Sequence, residues 1–368
     1  MRDWKTVKLG DVFDLQMGKT PDRKNLDFFS TTDNKWISIA DISKSDKYIF
    51  ETKEYISDEA VKKSGIKQIP ANTVIMSFKL SIGKTAITKE PMYSNEAIMA
   101  FLPNGKYDVD NDFLYHLFSN KDWTEGSNKA VKGITLNKAS LLEAKILLPP
   151  LTIQKQIAKV MDKCTEIISK NERMLENYDS LIKSRFIEMF GEPIENTKSW
   201  KKEPLGNCCL LKAGKAIKAS ELADKNKEHP YPCFGGNGIR GYIGKKSHTG
   251  KIVLIGRQGA LCGNVQLTDG DFYATEHAVV TTPKTELNST WLYHLLFLMD
   301  LNRYKSGAAQ PGLTVEKLNT VPLMIVPLKL QNDFAAFVQQ IDKSKFAVQK
   351  SLEKAETLYK SLMQEYFG

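Results

Sequence analysis

The feature that most constrains this 368-residue chain is an internal repeat. Trp4-Lys5 and Leu9-Gly10 return in the same order as Trp200-Lys201 and Leu205-Gly206. The later matches pair Gly18-Lys19 with Gly214-Lys215, 113–117 with 291–295, 133–135 with 312–314, 150–154 with 327–331, and Phe190-Gly191 with Phe367-Gly368. The order is kept while the spacing drifts, so the pattern indicates a duplication with insertions and deletions. The chain is therefore predicted to contain two similar units.

Each copy divides into a mixed part and a helical part. Short β-like runs, at 73–77, 98–102, 252–255 and 278–281, alternate with loops rich in Gly, Asn and Lys. Residues 152–190 and 329–367 contain neither proline nor glycine, and helix-forming residues dominate them. The predicted organisation is a first mixed domain at 1–149, a first helical spacer at 150–191, a second mixed domain at 192–326 and a second spacer at 327–368.

Apolar residues recur in steps of three and four along both spacers, which is typical of a coiled-coil seam. The seam positions are Ile157, Met161, Cys164, Ile168, Asn171, Leu175, Tyr178 and Ile182, then Phe334, Val338, Ile341, Val348, Leu352, Ala355, Tyr359 and Leu362. Two such rods in one chain pair most simply antiparallel. The predicted fold is α+β, with two mixed α/β domains alternating with two long helices that form an antiparallel coiled coil in a pseudo-twofold repeat. The alternative is two amphipathic helices packed on separate globular cores.

Charge and composition narrow the class of partner. A formal net charge of +9 favours a polyanionic partner. No apolar run approaches the ~18 residues of a membrane span, and Met1–Lys5 lacks an apolar signal core, so the cytoplasm is the expected compartment. Five cysteines without CxxC spacing fit reduced thiols. A zinc site from His229, Cys233 and Cys262 is disfavoured because structural zinc ligands are usually paired more closely in sequence.

Two similar but non-identical domains on a stiff spacer can hold two DNA readers more than one helical turn apart. Two different readers in one chain predict an asymmetric, interrupted target, whereas a homodimer would read a palindrome.

This ordered set of motifs resembles the specificity subunits of type I restriction–modification systems. The segments that carry the resemblance are 200–211, YPCFGGNGIRGYI at 231–243, IGRQG at 255–259, AQPGLT at 309–314, and the Pro-Leu-x-x-Gln junctions at 150–154 and 327–331. The resemblance covers nearly the whole chain, and the second unit matches more fully than the first. It implies two target-recognition domains alternating with two helical regions.

The resemblance also implies a non-catalytic chain that binds double-stranded DNA. The implied partners are two methyltransferase subunits, which methylate adenine at N6 with S-adenosylmethionine, and a translocase–nuclease subunit that uses ATP and Mg²⁺. These cofactors are expected on the partner subunits, and none is expected on this chain.

Several polar side chains in and beside glycine-rich loops are candidate DNA contacts, because such loops let backbone approach a ligand closely. Arg, Asn and Gln read base edges, while lysines and small polar groups contact phosphates. Base or groove contacts are predicted for Asn237, Arg240, Arg257, Gln258 and Gln310, and phosphate contacts for Lys215, Lys218, Lys245 and Lys246. In the first domain the candidates are Lys19, Lys35, Lys79, Ser81, Lys84, Lys129 and Lys132. The competing interpretation is a tight turn at 235–238 and ordinary solvated lysines.

Four repeated polar residues are expected to be structural. His116 and His294 lie in Leu-Tyr-His-Leu stretches and are predicted to be hydrogen-bonded packing residues. Glu96 and Glu276 recur as well, and a shared structural hydrogen bond is the preferred explanation.

Catalytic motifs are poorly represented. The sequence has no Asn/Asp-Pro-Pro-Tyr loop for adenine methylation, and Gly18-Lys19-Thr20 and Gly83-Lys84-Thr85 lack the upstream glycine of a P-loop. Asp22, Glu51 and Lys53 match a loose pattern of metal-dependent nucleases. Two alternatives therefore stay open: a stand-alone Mg²⁺-dependent DNA nuclease, and a coiled-coil scaffold whose globular parts bind proteins.

Overall fold

The computed structural model describes residues 4–79, 81–123, 136–259, 262–305 and 312–367. The chain forms two compact units, of which the first comprises residues 1–170 with 352–368 and the second comprises residues 171–351. Within the described ranges, no helix combines the length and apolar character that crossing a bilayer requires.

The described residues of the first unit form three sheets. Its strands are β1 (Lys5–Lys8), β2 (Phe13–Met17), β3 (Asn34–Ile37), β4 (Tyr48–Ile49), β5 (Glu54–Ile56), β6 (Val74–Ser77), β7 (Thr85–Thr88), β8 (Tyr93–Ser94), β9 (Ile98–Pro103) and β10 (Lys145–Leu148). Its helices are α1 (Leu9–Val12), α2 (Ile39–Lys44), α3 (Asp58–Ser64), α4 (Asn111–Asn120), α5 (Lys138–Glu143) and the start of α6 (Leu151–Phe190). The strand orders are β2-β9-β6-β7-β4, β5-β3-β8 and β1-β10. Pairing is antiparallel except between β4 and β7 and between β3 and β8.

The second unit repeats this plan. Its strands are β11 (Lys202–Pro204), β12 (Cys209–Ala213), β13 (Tyr231–Gly235), β14 (Gly238–Ile243), β15 (His248–Thr249), β16 (Val253–Gly256), β17 (Val265–Leu267), β18 (Asp271–Ala274), β19 (Ala278–Pro283) and β20 (Pro322–Met324). Its helices are α7 (Leu205–Cys208), α8 (Ser289–Leu298), α9 (Val315–Asn319) and most of α10 (Leu328–Phe367). The strand orders are β12-β19-β16-β17, β14-β13-β18-β15 and β11-β20.

The central strand of each large sheet is buried on both faces. In β6, Val74 and Met76 join the core that contains helix α4, while Ile75 faces a separate core on the other side. Strand β16 divides in the same way, with Val253 on one face and Leu254 on the other. Side chains alternate along a strand, so continuous apolar runs are required wherever both faces are covered.

The two long helices pair antiparallel, as predicted. In the second unit, Asn171 Nδ2 in α6 donates to Ser351 Oγ in α10 at 3.1 Å. Further along α6, the Phe186 ring contacts the ring of Phe334, which lies near the start of α10, with centroids 5.3 Å apart. In the first unit, the first turns of α6 share a core with the last turns of α10. A buried polar position such as Asn171 is well suited to setting the register of the pair.

The Pro-Leu-x-x-Gln junctions join each long helix to its mixed domain. The buried Gln154 carboxamide donates to Asp108 O at 3.0 Å and Pro149 O at 2.8 Å, and accepts from Asp110 N–H at 2.8 Å. The carboxamide of Gln331 donates to a carbonyl at 2.8 Å and accepts from a backbone N–H at 2.9 Å at the equivalent place. The repeated glutamine, itself buried, therefore supplies hydrogen-bond partners to backbone groups on both sides of each junction.

Candidate nucleic-acid interface

Strands β1–β10 with helices α1–α5 are called domain 1, and strands β11–β20 with helices α7–α9 are called domain 2. The repeated Gly-Lys pair lies where the two larger sheets of each domain meet. In domain 1, Gly18 N–H donates to Ile98 O at 3.1 Å and Lys19 N–H donates to Ser94 O at 2.8 Å. A Cβ atom at Gly18 would overlap the carbonyl oxygens of Ser94 and Asn95, so only glycine fits this crossing.

Domain 2 has the same joint. Gly214 N–H donates to Ala278 O at 3.0 Å, and Lys215 N–H donates to Ala274 O at 3.1 Å. A Cβ atom at Gly214 would likewise overlap the Ala274 carbonyl. The joint therefore places Lys19 and Lys215 at equivalent positions, with both side chains exposed.

The loop after the central strand is also shared, but its residues differ. Phe78 N–H donates to Ala97 O at 3.0 Å, and Arg257 N–H donates to His277 O at 3.0 Å, so Phe78 and Arg257 occupy matching positions. Phe78 is buried in the core of domain 1. Arg257 lies at the surface of domain 2, half-buried.

Three of the residues predicted to read bases line one cavity of about 560 Å³ in domain 2, called the hairpin cleft. It is lined by Gly236, Asn237, Gly238, Ile239, Arg240, Gln258, Gly259 and His277. Arg257 directly precedes Gln258, and its buried Nε has no hydrogen-bond partner among the described residues. The backbone of this loop is tied to the described end of the AQPGLT segment, since Leu313 N–H donates to Arg257 O at 2.9 Å. Gln310 lies outside the described residues.

Three of the four predicted phosphate lysines of domain 2 line a second cavity of about 550 Å³, called the lysine cleft. Lys215, Lys245 and Lys246 line it together with Lys212, and Ser247, His248 and Tyr273 complete its polar wall. Lys218, the fourth, is exposed but does not line the cleft.

The charges in the lysine cleft are only partly compensated. Lys245 Nζ lies 2.8 Å from Glu221, and Lys246 Nζ lies 3.0 Å from Asp271. Lys212 makes no ion pair or side-chain hydrogen bond with the described part of the chain. Sequence reasoning missed Lys212; its position two residues before the Gly214 joint was the available signal.

His248 lies in the wall of the lysine cleft, where its ring stacks on Phe272 with centroids 5.4 Å apart. Burial and then the charge of Lys212 lower the pKa of His248 below its ordinary value. Both influences favour the neutral imidazole over the charged form, and its Nδ1 lies 2.8 Å from Ser247 Oγ.

Six of the seven candidates of domain 1 divide into three groups. Lys79, Ser81 and Lys84 lie together in the loop between β6 and β7, where Ser77 N–H donates to Lys84 O at 2.8 Å. The Lys19 ammonium donates to the Ser64 carbonyl. Lys129 and Lys132 lie outside the described residues.

Lys35 differs from the other candidates because its charge is compensated. Its ammonium donates to Phe50 O at 2.7 Å, lies 3.1 Å from Glu51 Oε1 and pairs with Glu90. The Lys35 side chain is only 22% exposed, so contact with a phosphate would require it to leave two carboxylates.

The residues of the nuclease pattern form other contacts. Glu51 pairs with Lys35, while Asp22 Oδ1 accepts the backbone N–H of Lys24 at 3.0 Å. Across the described ranges, no group of three or more His, Cys, Asp and Glu side chains is arranged to hold a metal ion. Cys233 and Cys262 are buried free thiols.

Both repeated histidines pack against neighbouring side chains, but among the described residues only His116 makes the predicted side-chain hydrogen bond. Buried His116 places Nε2 2.7 Å from Asp162 Oδ1. His294 instead packs its ring edge-on against Phe334, with centroids 5.3 Å apart. Burial, followed by the charge of Lys345, lowers the pKa of His294 to about 4.

The repeated glutamates do not share one hydrogen bond. The Glu96 carboxylate accepts from the Thr20 hydroxyl. The residue that corresponds to Thr20 is Ala216, which has no hydroxyl, and Glu276 lies 3.1 Å from His277 Nε2 instead. The expected common contact is therefore replaced by a different one in each domain.

Comparison with known proteins agrees with this architecture. The family described as type I restriction modification DNA specificity domain matches residues 1–177 and 197–356. The chain is 34% identical to the type I restriction enzyme EcoprrI specificity subunit of Escherichia coli, over 91% of this chain and 87% of that protein. It is 23% identical to the MjaIX specificity subunit of Methanocaldococcus jannaschii, over 92% and 87% of the two chains.

Two solved structures share the fold. The crystal structure of the type I restriction-modification S subunit from M. genitalium matches with a TM-score of 0.69 at 16% identity, over 100% of this chain and 96% of that one. A chain from a study of complex assembly and conformational transition in the type I R-M system matches with a TM-score of 0.58 at 18% identity, over 100% and 98%. The predicted α+β repeat with two long helices is thereby confirmed. With the family matching both copies of the repeat, this chain belongs to the type I restriction–modification DNA specificity family.

Proposed function

We propose that this chain is the DNA-reading subunit of a type I restriction–modification complex, in which domains 1 and 2 each recognise one part of an interrupted, asymmetric target. The observation that carries the proposal is that the two domains repeat the same backbone hydrogen bonds but present different side chains at matching positions. The Gly-Lys joint and the loop after the central strand recur, yet Phe78 in one loop is replaced by Arg257 in the other. Two unlike surfaces on one frame are what two different half-sites require.

In domain 2 the two clefts have different chemistry. The hairpin cleft offers an arginine and two neutral amide side chains, the groups that read base edges, and Arg257 lies beside it. The lysine cleft offers four ammonium groups suited to the phosphate backbone, with Lys218 exposed nearby in sequence. We assign base reading to the hairpin cleft and phosphate binding to the lysine cleft.

In domain 1 we assign DNA contact to the loop that holds Lys79, Ser81 and Lys84, with Lys19 at the joint. Lys35 contributes least, because two glutamates already neutralise it. Lys129, Lys132 and Gln310 remain predictions for segments outside the described residues.

The partners follow from family membership. We propose that the recognition domains span 1–149 and 192–326, and that the spacers at 150–191 and 327–368 dock two methyltransferase subunits that use S-adenosylmethionine to methylate adenine at N6. A restriction subunit that needs ATP and Mg²⁺ would join the same complex, in the cytoplasm.

Co-expression with the cognate methyltransferase subunit in a methylation-free host, followed by modification-sensitive genome sequencing, tests this proposal. We expect an interrupted, asymmetric motif with one methyladenine on each strand. A double variant, Lys79→Ala with Lys84→Ala, should lower methylation without altering the half-site read by domain 2. Absence of methylation from an assembled complex, with a methyltransferase that is active beside another specificity subunit, would contradict the proposal.

The same protein separates the two alternatives. A stand-alone nuclease predicts Mg²⁺-dependent cleavage that Asp22→Ala and Glu51→Ala abolish while DNA binding persists. A protein-binding scaffold predicts weak DNA binding by the complex, whereas the DNA-reading subunit predicts an affinity that falls steeply with salt, because each phosphate contact releases counterions.

A further inference from the structure

Arg240 occupies an irregular position in the β13–β14 hairpin. Cys233 pairs with Gly241, but the next residue, Phe234, pairs with Ile239. Arg240 is therefore the extra residue of a β-bulge and has no partner across the ladder. Bulges re-aim a side chain out of the regular alternation, and this one lies at the wall of the hairpin cleft.

A glycine provides the path for the Arg240 side chain. A Cβ atom placed on Gly235 would lie 2.5 Å from Arg240 Cδ and 2.9 Å from Arg240 Cγ, and its three nearest neighbours all belong to Arg240. The aliphatic part of the arginine thus lies directly across the glycine. A side chain at residue 235 would displace the guanidinium from its place in the cleft.

No group among the described residues binds the guanidinium of Arg240. In the part of the chain that the structure describes, Arg240 is exposed and takes part in no side-chain hydrogen bond or ion pair. Arg23, the described arginine of domain 1, contrasts with it: both of its terminal nitrogens bind Glu54, at 2.6 and 2.9 Å, and it lies over the Phe29 and Trp36 rings. An unpaired planar fork of donors is thus available in domain 2, whereas the fork in domain 1 is occupied.

The turn that carries Arg240 is held in place before any ligand arrives. Asn264 Nδ2 donates to Asn237 Oδ1 at 2.9 Å, which connects the hairpin turn to the strand that follows the central loop. The carbonyl of Gly236 packs so closely on Gly256 that a Cβ atom there would overlap it. Asn237 therefore positions the turn, and the cost of ordering Arg240 on binding is reduced.

We propose that Arg240 is the specificity-determining residue of domain 2 and reads a guanine through paired hydrogen bonds to O6 and N7 in the major groove. This inference rests on the proposed function and adds the base class that domain 2 recognises. A bidentate arginine is the commonest specific contact to guanine. The neutral neighbours Asn237 and Gln258 favour a base edge, because the four lysines that suit a phosphate line the other cleft.

Four variants of the full-length chain, co-expressed with the methyltransferase subunit, test the assignment. Arg240→Ala removes the fork, and Arg240→Lys keeps the charge without the fork. Gly235→Ala keeps the arginine but displaces it. Lys251→Ala is the control, because it removes one exposed charge at the opposite end of β16. Methylome sequencing reads the motif of each variant, and co-purification with the methyltransferase checks assembly.

We expect the wild type and Lys251→Ala to give the same motif. Arg240→Ala and Gly235→Ala should lose discrimination at one G·C position of the half-site read by domain 2, by roughly 5- to 150-fold, with the other half-site unchanged. Arg240→Lys should relax the same position, because a point charge cannot replace the fork.

Uniformly weaker methylation with an unchanged motif would show a phosphate contact and overturn the inference, as would full wild-type discrimination in Arg240→Ala. Because those outcomes leave the interrupted wild-type motif intact, they would not touch the proposed function. That proposal fails only if the wild-type complex itself writes no such motif.

Discussion

The backbone paths of the two mixed domains diverge at a matching point, immediately after β3 in domain 1 and after β13 in domain 2. Asn95 N–H donates to Ile37 O at 3.0 Å in domain 1, and Thr275 N–H donates to Phe234 O at 2.9 Å in domain 2. These bonds show that β3 and β13 are equivalent. Beyond them the chain takes different paths.

In domain 1 the chain enters a helix, and in domain 2 it turns back. Ser38 caps α2, and the Asp41 carboxylate accepts from Ser38 N–H at 2.8 Å and from Lys53 N–H at 3.0 Å. Domain 2 instead makes a two-residue turn at 236–237 and continues into the bulged β14. The comparison teaches that the two domains keep equivalent backbone hydrogen bonds between strands. The segments that connect those strands, α2 in one domain and β14 in the other, differ and give the two domains different surfaces.

The largest expected effect tests whether the Gly-Lys joint requires glycine equally in both domains. Gly18→Ala and Gly214→Ala each force a Cβ atom against backbone carbonyls, so each should lower the free energy of unfolding by about 3 kcal/mol or more. Urea unfolding of the full-length chain measures this loss. The neighbouring exposed variants Lys19→Ala and Lys215→Ala should change it by less than ~0.5 kcal/mol. Tolerance at one glycine alone would break the equivalence of the two joints.

Mutating the two junction glutamines should lower the free energy of unfolding by different amounts. Gln154→Leu removes three hydrogen bonds to buried or partly buried sites of the backbone and Gln331→Leu removes two, so we expect losses of about 3 and about 2 kcal/mol respectively. The same unfolding measurement ranks them, with Gln154→Glu and Gln331→Glu as variants that keep the acceptor. Equal or reversed losses would mean that hydrogen-bond number does not set the strength of the junction.

The smallest expected effect contrasts the two repeated histidines. The folded pKa of His294, about 4, lies below its unfolded value near 6.5, so the unfolded chain binds the proton first and stability falls as the pH drops through this window. Between pH 7 and pH 5 we expect a loss of about 2 kcal/mol from this group. His294→Gln should flatten that part of the pH dependence. His116→Gln removes a ring paired with Asp162, and this variant should keep the loss of stability that His294 causes between pH 7 and pH 5. If stability still falls by about the same amount between pH 7 and pH 5 in His294→Gln, another group causes the loss.

Much of the architecture could be predicted from the order of residues alone. The duplication, the two long helices and their antiparallel pairing all follow from patterns that are local or repeated in sequence, such as the seam through Met161 and Asn171. The Pro-Leu-x-x-Gln motif and the Gly-Lys pair were visible as repeats. Their roles as a backbone bridge and a sheet joint became clear only in the structure.

Which basic side chains remain free to contact a partner depended on the tertiary structure. Lys35 and Lys212 look alike in sequence, yet Lys35 meets two glutamates brought from other segments, while Lys212 lines an open cleft. The bulge that re-aims Arg240 depends on the register between β13 and β14. Helical periodicity and the internal repeat are patterns in the order of residues, so the sequence by itself determines them. Ion pairing and strand register depend on groups that only folding brings together, so the tertiary structure decides which side chains remain available to a partner.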